Sequence, residues 1–195
     1  MKSKDIKYVL NIAMRLTVIV AVVVAMLATV NAVTKDRIAE NNAASRNAAC
    51  GELIEGAEFE SFDISALNVD YSEITNFDKN SVAVWRGTKN GELAGWCVEV
   101  TGKGYSSDGI GLIVGISADG QTVLGVRCVS SSETSGIGSK VVSDDYLSNF
   151  ADRASSEVAS VDAVSGATRT SRGVKDGIKA AAACVRAIIE QEGGR

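Results

Sequence analysis

From Leu16 to Thr34 the chain reads LTVIVAVVVAMLATVNAVT, an almost wholly apolar run without a single charge. As a helix it spans roughly 28 Å, close to the hydrocarbon thickness of a bilayer, and it has no polar face of the kind a core helix of a soluble protein keeps. The run predicts a transmembrane helix. Lys2, Lys4, Lys7 and Arg15 precede it, and Lys35, Arg37 and Arg46 follow, a modest positive-inside bias toward a cytoplasmic N-terminus. A cleaved signal peptide is the rival reading, with small residues at Val30-Asn31-Ala32. The apolar stretch exceeds the roughly 7 to 15 residues of a signal core, which favours an uncleaved anchor. Thr34 to Cys50 is rich in Ala, Asn and charge and lacks glycine. It reads as a helical stalk that Gly51 ends.

After Ser81 the period shortens to two. Val82 and Val84, then Leu93, Trp96, Val98 and Val100, flank Asn90-Gly91, a hairpin signal because both residues tolerate positive φ. A second hairpin is expected from strands near Ile110–Ser117 and Thr122–Ser130 around Asp119-Gly120, and the continuous apolar run of its first strand suits the centre of a sheet. Two polar, glycine-bearing loops follow strands: Gly102-Lys103-Gly104-Tyr105, and SSSETSGIGSK over 130–140. A short helix is expected over Asp144–Asp152 with Ser143 as its cap. A terminal helix after Ser171 places Val174, Ile178, Ala181, Val185 and Ile188 on one face, which should pack on the sheet. The expected architecture is α+β: a transmembrane helix followed by a twisted, mainly antiparallel sheet of at least four strands with packed helices. Residues 1–33 form the cytoplasmic tail and anchor, 34–50 the stalk, and 51–195 the domain beyond the membrane.

Composition narrows the chemistry. The 195 residues include no histidine and no proline, so His-based nucleophile activation, His-ligated zinc and a histidine general base are closed. Without residues 1–33 the chain keeps 16 positive and 23 negative side chains, a net charge of −7. With aromatics at only 5% and no basic stripe, nucleic-acid binding is not expected. Cys50, Cys97, Cys128 and Cys184 lie far apart without a CxxC pair, which removes iron–sulfur and zinc-ribbon spacings, and no metal site is expected. The four could form two disulfides in three connectivities or stay reduced. Their apolar neighbours favour small buried hydrophobes.

The most informative stretch is Asp162-Ala163-Val164-Ser165-Gly166-Ala167-Thr168-Arg169-Thr170-Ser171, leading into the terminal helix. Free amides and the dipole at such a helix start attract phosphate, and Arg169 adds a positive charge. A Ser/Thr-rich turn that merely caps a helix accounts for Thr170 and Ser171 equally well. Asp162 to Thr168, however, reads D-x-x-S-G-A-T, and resembles the flavinylation motif of the FMN-binding domain family, in which the last threonine carries FMN through a phosphoester. That family includes the G subunit of the Rnf electron-transport complex and the C subunit of the sodium-pumping NADH:quinone reductase. The resemblance extends to the N-terminal anchor with Thr34-Lys35-Asp36-Arg37-Ile38, to Gly102-Lys103-Gly104-Tyr105, and to Glu133-Thr134-Ser135-Gly136-Ile137-Gly138. The last is similar to the family's E-T-P-G-L-G loop with serine in place of proline, a change that loosens the loop and leaves Glu133, Thr134 and both glycines in place.

The resemblance implies covalent FMN on Thr168. It implies a close backbone turn around the phosphate from Ser165, Gly166 and Ala167, approach to the flavin by Glu133 and Thr134, and a further hydroxyl from Thr170. Asp162 and Ser165 would be read chiefly by the flavin transferase that modifies the chain, while Lys140 and Arg169 are either phosphate or flavin partners or solvated surface charges. The cofactor would supply the redox chemistry that the side chains lack, and no separate substrate site is expected. The implied role is that of an electron carrier in an Rnf-type complex of the inner or plasma membrane, with its domain outside the cytoplasm. There it would work with other membrane subunits in ferredoxin:NAD+ oxidoreduction coupled to Na+ or H+ transport. The C subunit of the quinone reductase and a stand-alone flavinylated electron-transfer protein are alternatives, and an unflavinylated assembly subunit is one from another class.

Overall fold

The computed structural model describes residues 3–193, with side chains from Tyr8 onward; the cationic side chains of Lys2, Lys4 and Lys7 lie outside the described residues. Helix α1 spans Ser3–Leu53, and the chain divides into two compact units, the first ending at Ala44 and the second beginning at Ser45.

In the first unit no residue from Tyr8 to Ala44 is buried. The apolar side chains at Val18, Ile19, Val23, Met26 and Leu27 all face outward, which in water would expose a large hydrophobic surface. Thr17, Thr29 and Thr34 turn their hydroxyls inward and donate to the carbonyls of Ala13, Ala25 and Val30 at 2.8–2.9 Å. The threonine hydroxyls of the apolar stretch are thus satisfied by the helix itself, as a lipid environment requires. The helix is long and apolar enough to cross a membrane once.

The second unit is built on a six-stranded sheet in the order β1-β2-β3-β4-β5-β6, every neighbouring pair antiparallel. The strands are β1 (Glu58–Phe62), β2 (Phe77–Lys89), β3 (Glu92–Gly102), β4 (Ile110–Ser117), β5 (Thr122–Ser131) and β6 (Arg153–Ala154). The two expected hairpins are present. Asn90 and Gly91 adopt φ of 55° and 85°, as the tight β2–β3 turn requires, and β4, central and apolar, is buried along nearly its whole length. β1 and β6 add two strands to the four read from the pattern. Between β1 and β2 an irregular segment lays Ile64, Leu67, Val69, Tyr71 and Ile74 against the core.

Four local expectations change. Gly51 does not end α1, which continues to Leu53. Ala49, Cys50, Leu53 and Ile54 form a stripe at helical spacing that packs against Cys97, Ile113 and Leu124, and this burial outweighs the roughly 1 kcal/mol that glycine costs in a helix. Ser143 stands at the N-cap position of α2 (Asp144–Leu147) without a capping bond, because its hydroxyl donates instead to the Lys140 carbonyl at 2.8 Å. The expected longer helix is α2 followed by a 3-10 turn over Ser148–Phe150. The last helix, α3, begins at Thr168 rather than after Ser171 and runs to Gly193.

α3 lies on one face of the sheet. Val174, Ile178, Ala181, Val185 and Ile188 are all fully buried with Trp96, Val98, Val100, Leu112, Val114 and Ile116. Its first turns approach the end of β3 so closely that side chains are excluded. A Cβ on Gly173 would stand 2.5 Å from the Lys103 carbonyl oxygen, and one on Gly102 would collide with the Gly173 carbonyl. Asp176 ties the same region down by accepting from the backbone N–H and side-chain amide of Asn76 at 3.1 and 2.8 Å.

Gly173→Ala must push α3 off the Gly102–Lys103 backbone, and overpacking of this kind costs about 1–3 kcal/mol. Thermal unfolding of the purified chain followed by circular dichroism should show a clear drop in Tm. Gly51→Ala, where a Cβ meets nothing within 4 Å, should leave stability unchanged or raise it by the roughly 0.5–1 kcal/mol of helix propensity, with Tm unchanged or higher.

Candidate functional site

The turn leading into α3 explains the position of the helix start. The Ala167 N–H donates to the Val164 carbonyl at 2.9 Å, and Gly166 takes φ 78° at the third position of this β-turn. Ser171, buried one turn into the helix, locks the turn from inside: it accepts from the Val164 N–H at 3.1 Å and donates to the Ala167 carbonyl at 3.0 Å. The first intrahelical bond runs from the Ser171 N–H to the Ala167 carbonyl. The amides of Thr168, Arg169 and Thr170 therefore precede the hydrogen-bond ladder and carry the positive end of a 26-residue helix.

The hydroxyls of this turn have different fates. Thr170 is 2% exposed, and its Oγ1 donates to Glu133 Oε2 at 2.6 Å. Thr168 is exposed, and no hydrogen bond among the described residues engages its hydroxyl. Ser165 is exposed beside it.

Glu133 is the hub of the site. Its Oε1 accepts the backbone N–H groups of Tyr105 and Ser106, both at 2.9 Å, while Oε2 takes the Thr170 hydroxyl. The carboxylate is thus encircled by three donors from two other segments, the kind of charge-assisted bonding that fixes loops. Gly104 and Gly138 leave the room for it, since a Cβ at either would strike Glu133. Past Glu133, the Thr134 carbonyl accepts from Ile137 and Ser139 at 3.3 and 3.2 Å, and the Ser139 hydroxyl takes the Gly136 N–H at 2.9 Å. These bonds close the loop on itself, with Ser135 exposed where the family's proline would stand.

A pocket of about 280 Å³ opens between the three segments, lined by Tyr105, Glu133, Thr134, Ile137, Gly138, Gly166, Ala167, Arg169 and Thr170. It gathers five of the seven expected cofactor residues, and Ser165 and Thr168 belong to the same turn as its Gly166–Ala167 wall. Of the two cations, Arg169 lines the pocket and Lys140 does not. Asp162 lines a neighbouring cleft with Tyr146, Asn149 and Arg153, and its carbonyl accepts the Tyr146 hydroxyl at 2.9 Å. Burial lifts that hydroxyl's pKa above its ordinary value, partly offset by Ser171. Three lining residues, Tyr105, Ile137 and Gly138, were not among the expected cofactor contacts. Tyr105 and Ile137 are 74% and 51% exposed, large apolar surfaces on two loops, and only their shared exposure at one opening marks them.

Comparison with known proteins gives the family. The chain matches the FMN-binding domain over residues 104–183 and the RnfG N-terminal region over residues 1–53. It is 30% identical over 190 residues to the G subunit of the Na(+)-translocating ferredoxin:NAD(+) oxidoreductase complex of Acetobacterium woodii, covering 89% of this chain and 90% of that protein. It is 29% identical over 197 residues to the G subunit of the ion-translocating oxidoreductase complex of Methanosarcina acetivorans, covering 97% and 99%. Among solved structures, NqrC of Shewanella oneidensis shares the fold with a TM-score of 0.50 and 24% identity, over 69% of this chain and 75% of that one.

Removing the hub carboxylate should loosen the site without unfolding the sheet. In Glu133→Ala the Tyr105 and Ser106 amides lose their acceptor, a loss of about 1–3 kcal/mol. Hydrogen exchange at these two amides is expected to accelerate by about tenfold or more while amides around Ile178 keep their protection. Unchanged protection at Tyr105 and Ser106 would show that the loop is held by other contacts.

Proposed function

The chain belongs to the RnfG family, and from that premise we propose that it carries FMN covalently on Thr168 and passes electrons within an Rnf-type membrane complex. The observation that carries this reading is the contrast among hydroxyls at the start of α3. Ser171 and Thr170 are buried and committed to the turn and to Glu133, whereas Thr168 is exposed beside free amides.

The residues present fit such a group. The Thr168 oxygen would hold the phosphate in ester linkage, next to the unladdered amides of Arg169 and Thr170 and the helix dipole, which favour negative charge. The Arg169 guanidinium adds a counter-charge on the pocket side. Tyr105 and Ile137 offer apolar surface to a planar ring, and the Glu133 clamp fixes the loop that carries Tyr105. FMN supplies one- and two-electron redox chemistry when bound, so the polypeptide needs only to hold and orient it. A covalent link keeps a cofactor at high effective concentration where a dissociable one would be lost by dilution.

In this reading α1 anchors the chain once in the inner or plasma membrane, with the domain outside the cytoplasm, where a flavin transferase modifies it. Its partners are the other membrane subunits, and the complex couples ferredoxin:NAD+ oxidoreduction to Na+ or H+ transport. The match of residues 1–53 to the RnfG N-terminal region favours this role over that of a quinone-reductase C subunit.

Intact mass and peptide mapping of the chain coexpressed with a flavin transferase provide the test. One FMN should reside on the peptide containing Thr168, with acid-stable fluorescence that survives denaturation, and Thr168→Ala should lose both. Covalent flavin retained in that variant would overturn the assignment.

A further inference from the structure

Outside the pocket, we propose that Cys50 and Cys97 form a dithiol that closes to a disulfide, covalently joining the last turns of α1 to strand β3. Cys97 lies between Trp96 and Val98, both of which belong to the core under α3. Alternation along the strand therefore aims it at the opposite face, where it meets Cys50 in one apolar cluster with Ala49, Ile54 and Ile113. Cys50 is 1% exposed and Cys97 0%, and each thiol shifts the other's ionisation. The other two cysteines have different company: Cys184 lies in the core on the α3 side of the sheet, and Cys128 lies 3.5 Å from the Ser130 carbonyl.

The pair is chemically unequal. The neighbouring Cys97 thiol and the nearby Arg46 guanidinium hold the Cys50 thiol below its ordinary range, against the opposing effects of burial and Glu99. The adjacent Cys50, together with burial, pushes the Cys97 thiol up. Arg46 is held over the Trp85 ring at 4.4 Å, and Trp85 is the β2 partner of Cys97. Cys50 is thus the attacking sulfur and Cys97 the resolving one.

The oxidant is a small-molecule disulfide. Cys50 thiolate attacks one of its sulfurs and expels one thiolate, which takes up a proton. Cys97 then gives up its proton and displaces the second small thiol from Cys50. The protein loses two electrons and two protons, the external disulfide is reduced to two thiols, and one S–S bond forms between Cys50 and Cys97. Because both sulfurs are sealed, exchange proceeds before the end of α1 docks or when those turns open locally.

The test uses the full chain in detergent, incubated with glutathione disulfide just below its unfolding transition, then denatured in excess N-ethylmaleimide and mapped without reduction. A cross-linked pair of peptides containing Cys50 and Cys97 is expected, with both sites lost to maleimide and recovered after dithiothreitol. In Cys128→Ser/Cys184→Ser the maleimide additions should fall from two to none. Cys50 and Cys97 peptides that each carry maleimide or a separate glutathione would overturn the proposal. The mapping on the unsubstituted chain decides this whether or not the double variant folds.

Discussion

Glu133 accepts two backbone N–H groups from the β3–β4 connection and one hydroxyl from the first turn of α3, while itself standing just past the end of β5. One carboxylate therefore fixes three segments that share no ladder hydrogen bonds at this point, and the pocket exists because they are held together. Its geometry is over-determined: the glycines at 104 and 138 are required by the space the side chain occupies, and Thr170 is buried because its hydroxyl has a charged partner. The cost of burying polar groups is met by full pairing rather than by exposure.

The position of α3 follows from a second constraint, the contact of Gly173 with the Gly102–Lys103 backbone. With no side chain between them, helix and strand end approach at backbone distance, and this brings the amide-bearing end of α3 to the loops that Glu133 gathers. Deeper in the helix Val174, Ile178, Val185 and Ile188 supply the apolar attachment. The exposed Thr168 thus stands at the start of a helix whose attachment is buried, and a group attached there would inherit its orientation from that scaffold.

Much of this was legible in the pattern because it depends on local rules. The Asn90-Gly91 turn, the buried run of β4 and the apolar stripe of α3 are set by φ preferences and periodicity. Elements set by partners far along the chain were not. β1 alternates Glu58-Phe59-Glu60 with little apolar weight and exists through pairing with β2; β6 is two residues long. Gly51 looks like a helix stop until the surface awaiting Ala49, Leu53 and Ile54 is known. At the site, the motif pointed to Thr168, whereas spacing alone could not separate its hydroxyl from the structural ones of Thr170 and Ser171. Glu133 stood out as a candidate neighbour of a ligand, but its three donors are chiefly backbone amides, which leave no mark in a sequence.

The docking of the Ser45–Leu53 turns on the sheet bears on where this protein can be divided. A fragment begun at Gly51, where the apolar and polar pattern changes, would discard Ala49 and Cys50 and leave Leu53 and Ile54 on a frayed end. It would thereby uncover Cys97, Ile113 and Leu124 on a sheet face that is buried in the intact chain. Such a fragment would be prone to self-association through that face, whereas one begun at Ser45 keeps its own cover. The end of α1 is in this sense a layer of the sheet domain.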